Sequence, residues 1–168
     1  RAGTLDLFRL YGETTLRGTG SQDEVSRLLV SFNLKPIKSR MSDLVDIRSD
    51  NFSAKLKLFD VKSGHAVPSN FNVIVFPLSR SFDEGVGRDI SSFGDIDVAN
   101  FLTRSYSEGT ANLWHMSGAN SQGTLGADNI DIIGRADLSD GDGEKNIWVS
   151  QKFLQGTEDL EVDVTEIL

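Results

Sequence analysis

The 168 residues contain no cysteine, so neither disulfides nor thiolate metal sites can hold the fold. That absence does not discriminate between an oxidising and a reducing compartment. Histidine is almost as scarce. His65 and His115 are the two present, and neither stands in a zinc-type HxH or HExxH spacing. No apolar run approaches the roughly 20 residues of a membrane span. No secretory leader is recognisable, and the chain begins at Arg1 rather than Met, as expected of a processed or partial product. Positive charge is the minority: 17 Lys and Arg face 25 Asp and Glu, a formal net charge of −8. The basic residues are scattered among the acids, which argues against a nucleic-acid groove or an anionic-membrane surface. Also missing are a Gly-x-Ser-x-Gly elbow, a P-loop and a dinucleotide fingerprint. Gly118–Gly126 is glycine-rich, but it lacks the lysine and the following helix that phosphate binding needs.

What is present is alternation. Leu5–Tyr11 reads as a first strand, and Gly18-Thr-Gly20 frees the chain to turn. From Arg27, Leu28, Val30, Phe32 and Leu34 share one face of a predicted strand that Pro36 ends. Ile37, Met41, Leu44, Val45 and Arg48 follow at spacings of three and four, predicting a short amphipathic helix or helical loop. Ala54, Leu56 and Leu58 alternate with Lys55 and Lys57 in the next strand. Phe71–Leu78 is apolar on both faces, which predicts a central strand. Asp95–Thr103 predicts one or two helical turns with an Asp N-cap. Later strands are predicted around Ala111–His115, Asn129–Ile133, Asn146–Ser150 and Leu160–Val164, with Gly, Ser, Asn and Asp between them. A chain of this length fits one domain that buries roughly 70% of its unfolded surface. The expected fold is all-β: a jelly-roll-like antiparallel β-sandwich with one or two short helices in its connections, as a single domain over residues 1–168.

Each candidate for chemistry has a plainer reading beside it. Asp137, Asp140, Asp142 and Glu144 form an acidic loop that could aim several carboxylates at a calcium ion. The loop departs from the twelve-residue calcium pattern, because Lys145 stands where the turn glycine belongs. An acidic Gly-rich hairpin is the commoner explanation, and no metal is expected. Ser81–Asp89 holds adjacent acids, Asp83 and Glu84, and a third at Asp89. Glycoside hydrolysis needs two carboxyls across a cleft, but acid pairs abound in so acidic a chain. The structural reading has Phe82 anchoring the loop and Arg88 satisfying a neighbouring carboxylate. Trp114, Trp148, Tyr11 and Tyr106 could stack against sugar rings; core packing is the plainer account, above all for Trp148 between Ile147 and Val149.

Four phrases carry a resemblance: Ser26–Leu34, Ala54–Leu58, Ser81–Asp89 and Val162–Ile167. They resemble the DNRLRE-like β-sandwich modules, which are related to carbohydrate-binding modules, with Phe82 in place of the usual tryptophan of the third phrase. More narrowly, the chain looks like virion structural proteins of tailed bacteriophages that carry this module. The shared features are Gly18–Ser21, Ser26–Val30 and the Asn-x-Trp segment Asn112–Trp114. In the resembling modules a short helix and further strands follow the Asp163-Val-Thr165 phrase. The resemblance therefore implies that this sequence lacks its C-terminal strands or that a partner supplies them.

The expectation is a non-enzymatic component of a phage particle, on its head or tail surface. It would work through contacts with other virion proteins and further copies of itself, with no cofactor, nucleic acid or membrane. The alternative is a carbohydrate-binding module or host-surface adhesin that binds a surface glycan through Trp114 and Tyr106.

Overall fold

A computed structural model describes residues 27–39, 46–47, 49–61, 67–84, 99–138 and 141–168. Its contacts divide the chain into two units, residues 1–45 and 46–168. The predicted strand Leu5–Tyr11 lies outside the described residues, as do Met41, Leu44, Val45, Arg48 and Asp95–Val98 of the predicted helical segments.

In the first unit, residues 27–34 are irregular rather than a strand, and Phe32 stands 62% exposed. The alternation of Leu28, Val30, Phe32 and Leu34 is genuine, but a strand also needs a partner ladder, and no described strand pairs with this segment. Local hydrogen bonding takes the chain elsewhere. The Asn33 side chain accepts from the Lys35 N–H at 3.1 Å, and the helical turn α1, Lys35–Lys38, follows. Pro36 opens this turn instead of ending a strand, because its fixed φ suits the first helical positions, where its missing N–H costs nothing. The Ser39 N–H closes the turn on the Lys35 carbonyl at 3.0 Å.

Among its described residues the second unit is all-β. Its strands are β1 (Lys55–Leu58), β2 (Phe71–Val75), β3 (Thr103–Ser107), β4 (Thr110–Leu113), β5 (Gln122–Thr124), β6 (Ile132–Asp137), β7 (Glu144–Asn146), β8 (Val149–Phe153) and β9 (Leu160–Asp163). They pair as β1–β9, β2–β8, β3–β4 and β5–β6–β7, antiparallel except for β5–β6. A short 3-10 turn, Thr165–Ile167, follows β9.

The main core lies on one face of β1–β9 and β2–β8. Leu56 sits opposite Val162 and Leu58 opposite Leu160, while Phe71 stacks on Phe153 with ring centroids 5.0 Å apart. Phe153, Leu160 and Val162 are buried, with Val73, Val75 and Val149 packed against them. Each such side chain contributes roughly 1.5–3 kcal/mol when fully buried. Gln151 sits on the same face of β8 as Val149 and Phe153, in register with Val73. Its side-chain amide donates to the Asp159 carbonyl at 2.7 Å and accepts from the Glu161 N–H at 2.8 Å. One carboxamide thus stands in for a peptide unit and ties β8 to β9.

A second, smaller core gathers Ile130, Ile133 and Ile147. The chain after β2 reaches it: Leu78 bridges to Ile132, and the Ser79 N–H donates to the Asp131 carbonyl at 3.0 Å. This division explains why the predicted strand Asn146–Ser150 is interrupted. Ile147 belongs to the small core and Val149 to the large one, so β7 ends and β8 begins between them. The outer face of β2 is open rather than buried, with Ile74 exposed, so the segment is less central than its composition predicts. Of the predicted helical segment Asp95–Thr103, the described part, Ala99–Thr103, forms a tight turn. The Asn100 side chain accepts from the Leu102 and Thr103 N–H groups at 2.8 and 2.9 Å.

Candidate functional site

Among the candidate acids, Asp83 is held by the backbone. Asp83 donates its N–H to the Arg104 carbonyl at 2.9 Å and accepts from the Ala99 N–H at 3.0 Å; its carboxylate accepts the Tyr106 N–H at 2.9 Å. It thereby joins three chain segments, which is a scaffold's task. Glu84 is exposed, and Gly85–Asp89, including Arg88, lie outside the described residues.

The acidic loop behaves as a hairpin. Asp137 and Glu144 face each other across β6 and β7, and the Leu138 N–H donates to the Gly143 carbonyl at 2.8 Å. Glu144 accepts from the Thr124 hydroxyl at 2.6 Å and from Arg135 at 3.2 Å, which joins all three strands of the sheet. These bonds hold its carboxyl below the usual glutamate range, the Thr124 hydroxyl first and Arg135 second. Asp140 lies outside the described residues, and among those described no three His, Asp or Glu gather to hold a metal ion.

The two tryptophans sit in different environments. Trp114 is 5% exposed and donates its indole N–H to the Asn100 carbonyl at 2.8 Å. Neither ring face is open, so the glycan contact assigned to Trp114 is corrected: it is a core residue with its polar handle satisfied. Tyr106, the other predicted contact, is half-buried on β3. Trp148, read from sequence as core, is 36% exposed and tilted against Phe76 with ring centroids 6.2 Å apart. The hydrophobic neighbours Ile147 and Val149 suggested burial, but they turn inward and leave Trp148 on the outer side.

The most buried polar side chain among the described residues is one the sequence reading passed over. Asp131 is 0% exposed, and its two carboxylate oxygens accept the backbone N–H groups of His115 at 2.8 Å and Met116 at 2.9 Å. Its own N–H donates to the Ser121 carbonyl at 2.8 Å. An acid set among Ile130, Ile132 and Ile133 was the available signal, since a charge in an apolar run is tolerated only where it is hydrogen-bonded. Beside it, Arg80 donates to the Ile130 carbonyl at 3.3 Å and the Asp128 carbonyl at 3.2 Å.

The same device recurs at the surface. Glu158 collects the N–H groups of Leu154, Gln155 and Gly156 at 2.7–2.8 Å, which lowers its pKa, Gln155 contributing most. The Thr165 hydroxyl and N–H lower Asp163. On the outer face of β1–β9, Glu161 bridges Lys57 at 2.8 Å and Lys55 at 2.9 Å and is held down at about 2, mainly by hydrogen bonds from Lys57 and then Lys55.

Among the described residues no helix is long and apolar enough to cross a membrane. No family model matches the chain, and neither the curated proteins nor the solved structures contain a match.

Proposed function

We propose that this chain is a non-enzymatic structural component of a phage virion that works through protein–protein assembly contacts. The observation that carries the assembly reading is a group of large apolar side chains left in solvent. Phe101 is 69% exposed, Leu102 58%, Leu113 60% and Met116 52%. They are close in space, because the Trp114 N–H donates to the Leu102 carbonyl at 3.1 Å and the Gly118 N–H to the Phe101 carbonyl. Grouped exposed apolar residues favour association with another surface. In a symmetric particle, many such weak contacts add up. The virion assignment rests on the resemblance of the four sequence phrases. Mass spectrometry of gradient-purified particles is the test: the chain is expected among the particle proteins, and its absence removes the proposal.

Carbohydrate binding is the second reading, and a specific observation favours it at a new location. Trp148 and Phe76 flank the outer face of β2–β8, where Asn72, Ser150 and Lys152 are also exposed. An indole face beside amide, hydroxyl and ammonium groups suits a sugar ring and its hydroxyls. Glycan-array binding abolished by Trp148→Ala supports it; binding that survives this change, or no binding at all, counts against it.

A further inference from the structure

The turn between β6 and β7 contains two Asp-Gly steps, Asp140-Gly141 and Asp142-Gly143, which the assembly reading does not use. Such a step is chemically vulnerable, because no side chain on the glycine hinders its nitrogen from reaching the preceding carboxyl carbon. Whether that nitrogen is available depends on its hydrogen bonding. The Gly141 N–H is engaged, donating to the Leu138 carbonyl at 3.0 Å, whereas the Gly143 N–H makes no hydrogen bond to any described residue. Gly143 has φ +123°, with nothing within 4 Å of where a Cβ would stand, and both Asp142 and Gly143 are exposed. At Asp131, by contrast, the side chain is buried and the following N–H, on Ile132, is bonded to the Ser121 carbonyl at 2.9 Å.

We propose that Asp142 is a site of spontaneous covalent modification, converting to isoaspartate through a succinimide. The Gly143 nitrogen attacks Asp142 Cγ. The N–Cγ bond forms, and the carboxyl hydroxyl leaves with the amide hydrogen as water. Water then opens the ring. Cleavage at Cγ restores aspartate; cleavage at the backbone carbonyl carbon leaves Gly143 attached through Cγ, which is isoaspartate. Nothing is oxidised or reduced, and the final mass is unchanged. The rearranged backbone carries one extra methylene inside the hairpin. The Leu138–Gly143 hydrogen bond and the Asp137–Glu144 pairing must then re-register, loosening Glu144 from Thr124 and Arg135. The turn is thus a slow ageing point of the three-stranded sheet.

The purified protein, aged in warm neutral buffer, tests this by digestion and electron-transfer fragmentation, which distinguishes isoaspartate from aspartate at each position. Isoaspartate is expected to accumulate at Asp142 several-fold faster than at Asp140, and the preference should vanish when the protein is aged in denaturant. Asp142→Glu should abolish it, since a larger ring must close, and Asp142→Asn should accelerate it with loss of ammonia. Both variants leave the Gly143 backbone unaltered. No isoaspartate at Asp142, or equal accumulation at the two steps in the folded protein, overturns the proposal.

Discussion

Asp131 sets the pattern for acidic residues in this protein: a buried carboxylate whose two oxygens are both occupied by backbone donors, those of His115 and Met116. Replacing it with alanine removes the acceptor from both N–H groups in part-buried bonds, and the expected loss is about 2 kcal/mol. Asp131→Asn keeps one acceptor oxygen and should fall between, as measured by denaturant unfolding. Glycines separate in the same way. Gly156 has φ +81°, and a Cβ there would lie 1.9 Å from the Pro68 carbonyl oxygen, whereas Gly109 has φ +76° and open space. Gly156→Ala should therefore lower the melting temperature clearly more than Gly109→Ala, although both carry the cost of a positive φ. Equal shifts would mean that the Pro68 contact yields freely.

At the level of elements, Gln151 connects two strand pairs with one side chain. Gln151→Leu keeps the volume and the apolar face but leaves the Asp159 carbonyl and the Glu161 N–H without this partner. A destabilisation of about 1–2 kcal/mol is expected. Hydrogen exchange at the Glu161 amide should quicken, while the amides of β5–β6–β7 stay protected. The sequence made β1 and β9 legible because their alternation coincides with real pairing, Leu56 with Val162 and Leu58 with Leu160. Residues 27–34 alternate equally well and are not a strand. Alternation states which face could be buried; pairing is a long-range property that the pattern does not contain. For the same reason Trp148 was misplaced, since its neighbours Ile147 and Val149 serve different cores. Asp131 could have been found from its apolar surroundings, but nothing in Ser150-Gln-Lys152 announces the bridging role of Gln151.

Over the whole molecule, the depressed carboxylates make stability depend on acid. Glu161 is held at about 2 by Lys57 and Lys55, and Glu158, Glu144 and Asp163 also lie below their usual range. Each binds a proton more readily unfolded than folded. Their contribution is therefore complete above the ordinary glutamate value of 4.5 and is lost as pH falls toward about 2. Denaturant midpoints measured across that window should fall with pH, and Glu161→Gln should flatten part of the slope. Lys55, raised by Glu161, contributes below its ordinary value of 10.5 and loses that contribution as pH rises through its folded value. Because these pairs are exposed, salt should weaken both effects.

The acids of this surface stabilise turns and strands, and the proposed assembly role falls to its grouped apolar side chains, Phe101, Leu102, Leu113 and Met116. Site-specific photo-crosslinking within intact particles tests that account most directly. A photoreactive residue at Phe101 or Leu113 is expected to capture a neighbouring virion protein or another copy of this chain. One at exposed Thr157, away from the group in sequence, should capture far less. Particles that contain the chain but give no adduct from Phe101 or Leu113 above the Thr157 level would contradict the account.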